Sequence, residues 1–238
     1  MRQPGPTKGF PLKITNGSSW AETSLQSATK ENSDLAGPIQ YGFTPATAAY
    51  FAAHPQAAGT MPGRVVRVDR NRVLVAAAEG FFHVPYPLHG SVPATGDWVW
   101  LGLNASAEPV IESILPRYSE LSRKRAFDAS SDAQVLGANM DIVGVVVPVD
   151  RPLTHHRIER TLVAAWDSGA TPLVIVTKAD LADVADDVVG QVMLQAAGVD
   201  VVTTSAEQHQ GLQELSGRLP AGSTLVLLGP SGAGKSTL

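Results

Sequence analysis

The chain has 238 residues, 44% of them hydrophobic, no cysteine, and a formal net charge of −4. That length gives room for two modest domains, and the lack of cysteine excludes disulfides and thiolate-bound metals within these residues. No apolar run reaches the roughly 18 residues that a membrane helix needs.

Charge is unevenly spread. Between Arg64 and Arg125 eight basic side chains face six acidic ones, whereas the remainder carries ten against sixteen. An anionic partner is therefore expected for the middle segment. The N-terminus, Met1-Arg2-Gln3-Pro4-Gly5-Pro6, lacks the apolar core of a signal peptide, so a cytoplasmic protein with no membrane partner is expected.

Residues 1–40 mix Ser, Thr, Gly, Pro, Asn and Gln with scattered apolar positions and no sustained period. Such a segment buries too little apolar surface to offset its ordering entropy, and a mobile extension is expected. A short helix follows, with Thr44 as its cap, Pro45 in its first turn and Pro55 as its limit.

From Met61 to Leu115 the pattern changes to short strands: Arg64–Val68, Val73–Ala76, Gly80–Val84, Gly96–Leu101 and Pro109–Leu115, separated by polar turns. Five such strands suit an all-β OB-fold barrel, which places the first folded unit at residues 41–117. Barrels of this kind bind oligonucleotides through basic side chains and stacking aromatics. Arg64, Arg67, Arg70, Arg72 and Phe82 are the candidate contacts, and Arg117, Arg123, Lys124 and Arg125 add a basic linker. The alternative for these residues is ordinary solvated surface, with Trp98 and Phe81 in the core.

Residues 118–238 then alternate strand and helix, which predicts a doubly wound parallel sheet. Ile142–Val147 is a continuously apolar strand. Ile158, Leu162 and Trp166 recur at i, i+4 and i+8 on a helix that Gly169 can end. Pro172–Val176 is the next strand; Val184, Val188, Val192 and Ala196 mark a second helix. Val199–Thr203, a short helix over Leu212–Leu219 and a buried strand over Ser223–Leu228 complete the series. The adjacent pair His155-His156 does not suit a shared metal ion, because neighbours on a helix point about 100° apart.

Three stretches follow strand ends, where ligands of such sheets bind. The last, Gly229-Pro230-Ser231-Gly232-Ala233-Gly234-Lys235-Ser236-Thr237, fits the phosphate-loop pattern G-x-x-x-x-G-K-[ST]. Its glycines let backbone N–H groups turn inward around phosphate oxygens, Lys235 adds a mobile charge, and the Ser236 hydroxyl would bind Mg²⁺. A helix beginning near Lys235 would aim its positive end at the same phosphates. The other two are Thr177-Lys178-Ala179-Asp180 and Thr204-Ser205-Ala206. They resemble the guanine-specificity motif [NT]-K-x-D and the S-A motif of GTPases. Guanine presents N1–H and N2–H₂ as adjacent donors, and the Asp180 carboxylate can accept both. Adenine would leave that charge facing an acceptor, and sites of this type discriminate by roughly 10⁴. The Lys178 stem can lie over the base, with Ser205 and the Ala206 N–H beside guanine O6.

The order of these motifs, base recognition before phosphate loop, is the reverse of the usual GTPase order. Together with Pro62–Val66, Gly96–Val99, Gln134–Asp141, Ser168–Pro172 and Thr177–Leu181, it resembles the RsgA (YjeQ) family of circularly permuted GTPases over about three quarters of the chain. The resemblance implies an OB-fold barrel followed by a circularly permuted phosphate-loop GTPase domain. It further implies binding of GTP and GDP with Mg²⁺ and hydrolysis stimulated by the small ribosomal subunit. Contact with rRNA through the barrel, a role in late subunit maturation and a monomeric state complete the expectation. The family also has switch segments, a D-x-P-G motif and a zinc-binding C-terminal domain, none of which occurs in these 238 residues. A C-terminally shortened form is therefore expected. It would bind GTP weakly and hydrolyse little alone; its water-positioning residue and its Zn²⁺ would belong to the missing part. Position 177 is Thr where Asn is commoner, which removes an amide that could brace the phosphate loop. Two other readings stand beside this one: an ATP-using phosphate-loop enzyme, and an RNA-binding scaffold whose nucleotide site is vestigial.

Overall fold

A computed structural model describes residues 41–86, 92–123, 134–152 and 155–238; the expected mobile extension over residues 1–40 lies outside them. Helix α1 (Pro45–Ala53) begins where its sequence says. Thr44 accepts a hydrogen bond from the Thr47 amide at 3.3 Å, and Pro45 occupies the first turn. The helix buries Phe51 edge-on against Trp98 and Trp100, with ring centroids 5.8 and 4.9 Å apart. It thereby closes one end of a curled sheet.

That sheet holds β1 (Met61–Val68), β2 (Arg72–Ala77), β3 (Gly80–Pro85), β4 (Trp98–Leu103) and β5 (Pro109–Ile114) in the order β3-β2-β1-β4-β5, antiparallel throughout. Strand β1 pairs with both β2 and β4, and a bulge between Val65 and Arg67 bends it. The two outer strands, β3 and β5, come to lie against each other, as expected for an OB-like barrel. Val65, Val73, Val75, Val84, Val99 and Leu101 fill the interior. Phe82 stands opposite Val75 and packs on this core, whereas Phe81 is 53% exposed and meets Tyr41 edge-on at 5.9 Å. The accessible aromatic is thus Phe81, not Phe82, because cross-strand partners share a face.

Strands β6 (Glu120–Arg123) and β7 (Gln134–Ala138) form a small antiparallel pair that the sequence had not suggested. Arg117, expected in a basic linker, instead joins the fully buried Asp97 through Nε and Nη2 at 2.7 and 2.8 Å and reaches Glu120 through Nη1 at 2.8 Å. These partners, Asp97 foremost, push its pKa above the ordinary arginine value. Gly96 passes so close to β7 that a Cβ there would stand 2.0 Å from the Ala138 carbonyl. Asn139, at φ 52°, donates from Nδ2 to Gly96 O and accepts from the Tyr118 amide.

Arg64 corrects an expectation. Its side chain is buried, with its guanidinium 4.5 Å from the Trp98 ring centroid. It donates to Tyr41 O, Asn139 O and Thr224 Oγ1. Burial lowers its pKa, and Tyr118, Asp141 and Asp97 oppose that shift. A guanidinium with those commitments cannot contact RNA. It is an internal strut between the barrel and the second sheet.

The second sheet is parallel, in the order β10-β9-β8-β11, with β8 (Ile142–Pro148), β9 (Thr171–Thr177), β10 (Asp200–Thr203) and β11 (Leu225–Leu228). Strand β8 is buried at every position, as its continuous apolar run requires. Strand β11 is half-buried rather than buried, because it forms an edge of the sheet. Helices α2 (His155–Asp167), α3 (Ala182–Gln195) and α4 (Leu212–Gly217) follow β8, β9 and β10. On α2 the buried stripe runs Ile158, Leu162, Ala165, while Trp166 is 57% exposed. Seven residues bring a helix to about 20° from its starting face, and eight carry it about 80° past. His156 is exposed at the start of α2, 3.7 Å from Glu159. Among the described residues, no helix is long and apolar enough to cross a membrane.

Candidate functional site

Parallel pairing fixes where the three candidate segments emerge. Thr177 ends β9 opposite Pro148, Thr203 ends β10 beside Val176, and Leu228 ends β11 beside Val145. All three strands run the same way, so the residues that follow them share one rim of the sheet. Base motif and phosphate loop meet there directly: the Thr177 hydroxyl, buried, donates to the Ala233 carbonyl at 2.7 Å. The brace expected to be lost with the commoner Asn is supplied by this hydroxyl. Gly234, at φ +87°, lies alongside Thr177. That left-handed turn, which side-chain-bearing residues rarely adopt, lets the loop reverse direction.

On the base side, the Ala179 amide donates to Thr204 O at 3.1 Å, which fastens the first base segment to the second. The fully buried Ser205 exchanges two backbone bonds with Gln210 and donates from Oγ to Asp180 Oδ1 at 2.6 Å. Ser205 therefore orients the carboxylate. Each carboxylate oxygen can accept more than one bond, so the group keeps acceptor capacity for a base edge. Ala206 follows in the turn, and its carbonyl accepts the His209 amide. Lys178 adopts φ +64°, a strained region for a lysine, and its ammonium bonds Asp150 Oδ2 at 2.6 Å. That hydrogen bond, the strongest of several influences, holds the Asp150 carboxyl below its ordinary pKa.

Along the phosphate loop, Lys235 Nζ donates to Gly229 O at 2.9 Å and Pro230 O at 2.7 Å. The expected helix near Lys235 is represented by a turn, in which the Thr237 and Leu238 amides both donate to Gly234 O. Ser231, Gly232, Ser236 and Thr237 are exposed, whereas Ala233 is buried beneath the loop. A further contact escaped the sequence reading: Arg151, just after β8, donates from Nη1 to Ser231 O at 2.8 Å.

The basic candidates separate from this rim. Arg67, Arg70, Arg72 and Arg123 are exposed, with Arg67 paired to Asp69 at 3.1 Å; Lys124 and Arg125 lie outside the described residues.

A family model described as RsgA GTPase matches residues 114–238. The chain is 41% identical over 224 residues to the small ribosomal subunit biogenesis GTPase RsgA of Streptomyces coelicolor, covering 89% of this chain and 59% of that protein. It is 38% identical over 191 residues to the protein of the same name from Syntrophotalea carbinolica, covering 75% and 52% respectively. The chain thus spans between about half and three fifths of the curated relatives it matches. Among solved structures it resembles YjeQ from Thermotoga maritima, with a TM-score of 0.58 and 27% identity over 75% of this chain and 63% of that one. The fold is also that of YloQ, a circularly permuted GTPase, at a TM-score of 0.56 and 19% identity over 77% of this chain and 65% of that one.

If the Thr177 hydroxyl holds the loop, Thr177→Val should accelerate amide hydrogen exchange at Gly234 to Ser236 by about fivefold, the equivalent of one lost buried hydrogen bond of ~1 kcal/mol. Thr177→Ser, which keeps the hydroxyl, should stay near the parent rate. Unaltered exchange in the valine variant would show that the loop stands without this tie.

Proposed function

The chain belongs to the RsgA GTPase family, and from that premise we propose that it forms the guanine-nucleotide-binding part of a GTPase that acts in maturation of the small ribosomal subunit. One observation carries the nucleotide reading: Asp180, oriented by Ser205, stands on the same rim as a phosphate loop that Thr177 ties to its own strand. In this reading Asp180 accepts guanine N1–H and N2–H₂, with Thr177, Lys178 and Ala179 holding its strand end and Ser205 and Ala206 the neighbouring turn. Gly229 through Gly234, with Pro230, Ser231, Gly232 and Ala233 between them, enclose the phosphates together with Lys235, Ser236 and Thr237. Lys235 exchanges its loop carbonyls for phosphate oxygens.

Mg²⁺ fits the donor set only as a companion of the nucleotide. Among the described residues no cluster of three or more His, Asp or Glu could hold an ion unaided. The ion, which commonly keeps several waters and phosphate oxygens, would take the Ser236 hydroxyl as its protein ligand. It would neutralise charge on the transferring phosphoryl group.

The names of the curated relatives specify the small ribosomal subunit, and the barrel supplies a surface suited to its RNA. Arg67, Arg70 and Arg72 lie exposed around the β1–β2 turn, and Phe81 with Tyr41 offers an aromatic edge on the neighbouring strand. Arginines track the phosphate backbone while exposed rings stack on bases. The protein acts as a monomer in this reading.

Two outcomes follow. Asp180→Asn should cost GTP affinity about 100-fold, from the loss of charge-assisted hydrogen bonds, and raise affinity for XTP, whose O2 accepts where guanine donates. Calorimetric titration with GTP, XTP and ATP measures both, and equal binding of ATP and GTP by the parent protein would refute guanine recognition. For the barrel, replacing Arg67, Arg70 and Arg72 by Ala should lower the salt dependence of small-subunit binding by up to about two units of log–log slope. An identical slope would remove this face from the interface.

A further inference from the structure

We propose that Arg151 is a triphosphate-sensing residue: a cation supplied in cis that engages the terminal phosphate and distinguishes the nucleoside triphosphate from the diphosphate. The inference rests on the nucleotide reading above and adds a residue that lies in none of the three sequence motifs.

Arg151 sits in the loop between β8 and α2, and its side chain is 48% exposed. Its Nη1 donates to Ser231 O at 2.8 Å, and its Nη2 lies 2.8 Å from where a Cβ on Gly232 would stand. The third and fourth positions of the phosphate loop are thus the ones it covers. Lys235 holds the carbonyls of the first and second positions, Gly229 and Pro230. Two cations therefore hold the carbonyls of three consecutive loop residues. The lysine of this motif serves the β- and γ-phosphates. A guanidinium on the adjoining carbonyl stands at the same end of the triphosphate.

The surroundings leave the guanidinium able to transfer from carbonyl to phosphate. Beside Arg151 a cavity lies between β8 and α2, lined by Val146, Pro148, Arg157, Ile158, Gly229 and Pro230, which leaves the side chain room to move. Asp150 Oδ1 is 3.9 Å from Arg151 Nε, while its Oδ2 is committed to Lys178. The Asp150 carboxylate thus bonds the base-side lysine and only approaches the phosphate-side arginine, leaving the guanidinium free of a carboxylate hydrogen bond among the described residues. Arginine suits the task because its planar fork matches phosphate oxygens bidentately and keeps its charge. Phosphoryl-transfer proteins recruit such a cation either from their own chain or from a partner.

The test compares the parent protein with Arg151→Ala and Arg151→Lys, titrating each with fluorescent GDP and with a non-hydrolysable GTP analogue in Mg²⁺. Arg151→Ala should weaken the triphosphate analogue about tenfold and leave GDP within about twofold; Arg151→Lys should fall between, since it keeps charge without the fork. A thermal melt checks that the folded state persists, as expected for a half-exposed loop residue. Equal losses for both nucleotides would make Arg151 a brace of the loop, and no loss for either would make it a bystander. Each of those results overturns the proposal while leaving the guanine pocket standing. Failure of the parent protein to bind either nucleotide would overturn the pocket, and the proposal with it.

Discussion

A buried hydroxyl holds the candidate site together. The bond from Thr177 Oγ1 to Ala233 O links the end of β9 to the fifth residue of a loop that lies 56 positions further along the chain. Parallel pairing through β8 brings the two strand ends to one rim, but pairing alone sets them no closer than two strand widths. The hydroxyl closes the remaining distance by drawing the loop across β8. From that contact outward the other parts find their places: Asp180 lies three residues beyond Thr177, and Ser205 fixes the Asp180 carboxylate. Because sheets assemble by pairing rather than by chain order, a site with its base motif before its phosphate loop is as well formed as one in the usual order.

The second constraint is a polar seam between barrel and parallel sheet. Arg64 begins in β1, lies over Trp98, and ends on Asn139 and Thr224, the residue just before β11. Arg117 neutralises Asp97 within the same seam. Burying charges is costly unless they are compensated: Arg117 pairs with Asp97, and Arg64, without a carboxylate partner among the described residues, is held by three hydrogen bonds and the Trp98 ring. The barrel is therefore fastened to the root of the strand that leads into the phosphate loop.

What the sequence made legible was local. Thr44 and Pro45 announce α1 because capping involves neighbours. The apolar runs of β8 and β9 and the phosphate loop likewise carry their own context. Strand-end placement then made Thr177, Asp180 and Ser205 readable as one rim. What escaped depended on distant partners. Nothing near Arg64 separates it from Arg67, since the groups that bury it stand at positions 41, 98, 139 and 224. Phe81 and Phe82 exchange roles according to which of them faces Val75 across the strand pair. Trp166 fits a four-residue step but misses the true stripe by a single position. Arg151 precedes a helix without motif context, and only its contact with Ser231 marks it.

The most direct test is a crystal structure of the chain with GDP and Mg²⁺. The account predicts the guanine edge against the Asp180 carboxylate and the β-phosphate within the amides of Gly232 to Ser236, with the Thr177–Ala233 contact intact. A nucleotide bound with its base away from Asp180, or with that contact broken as the loop fills, would contradict it.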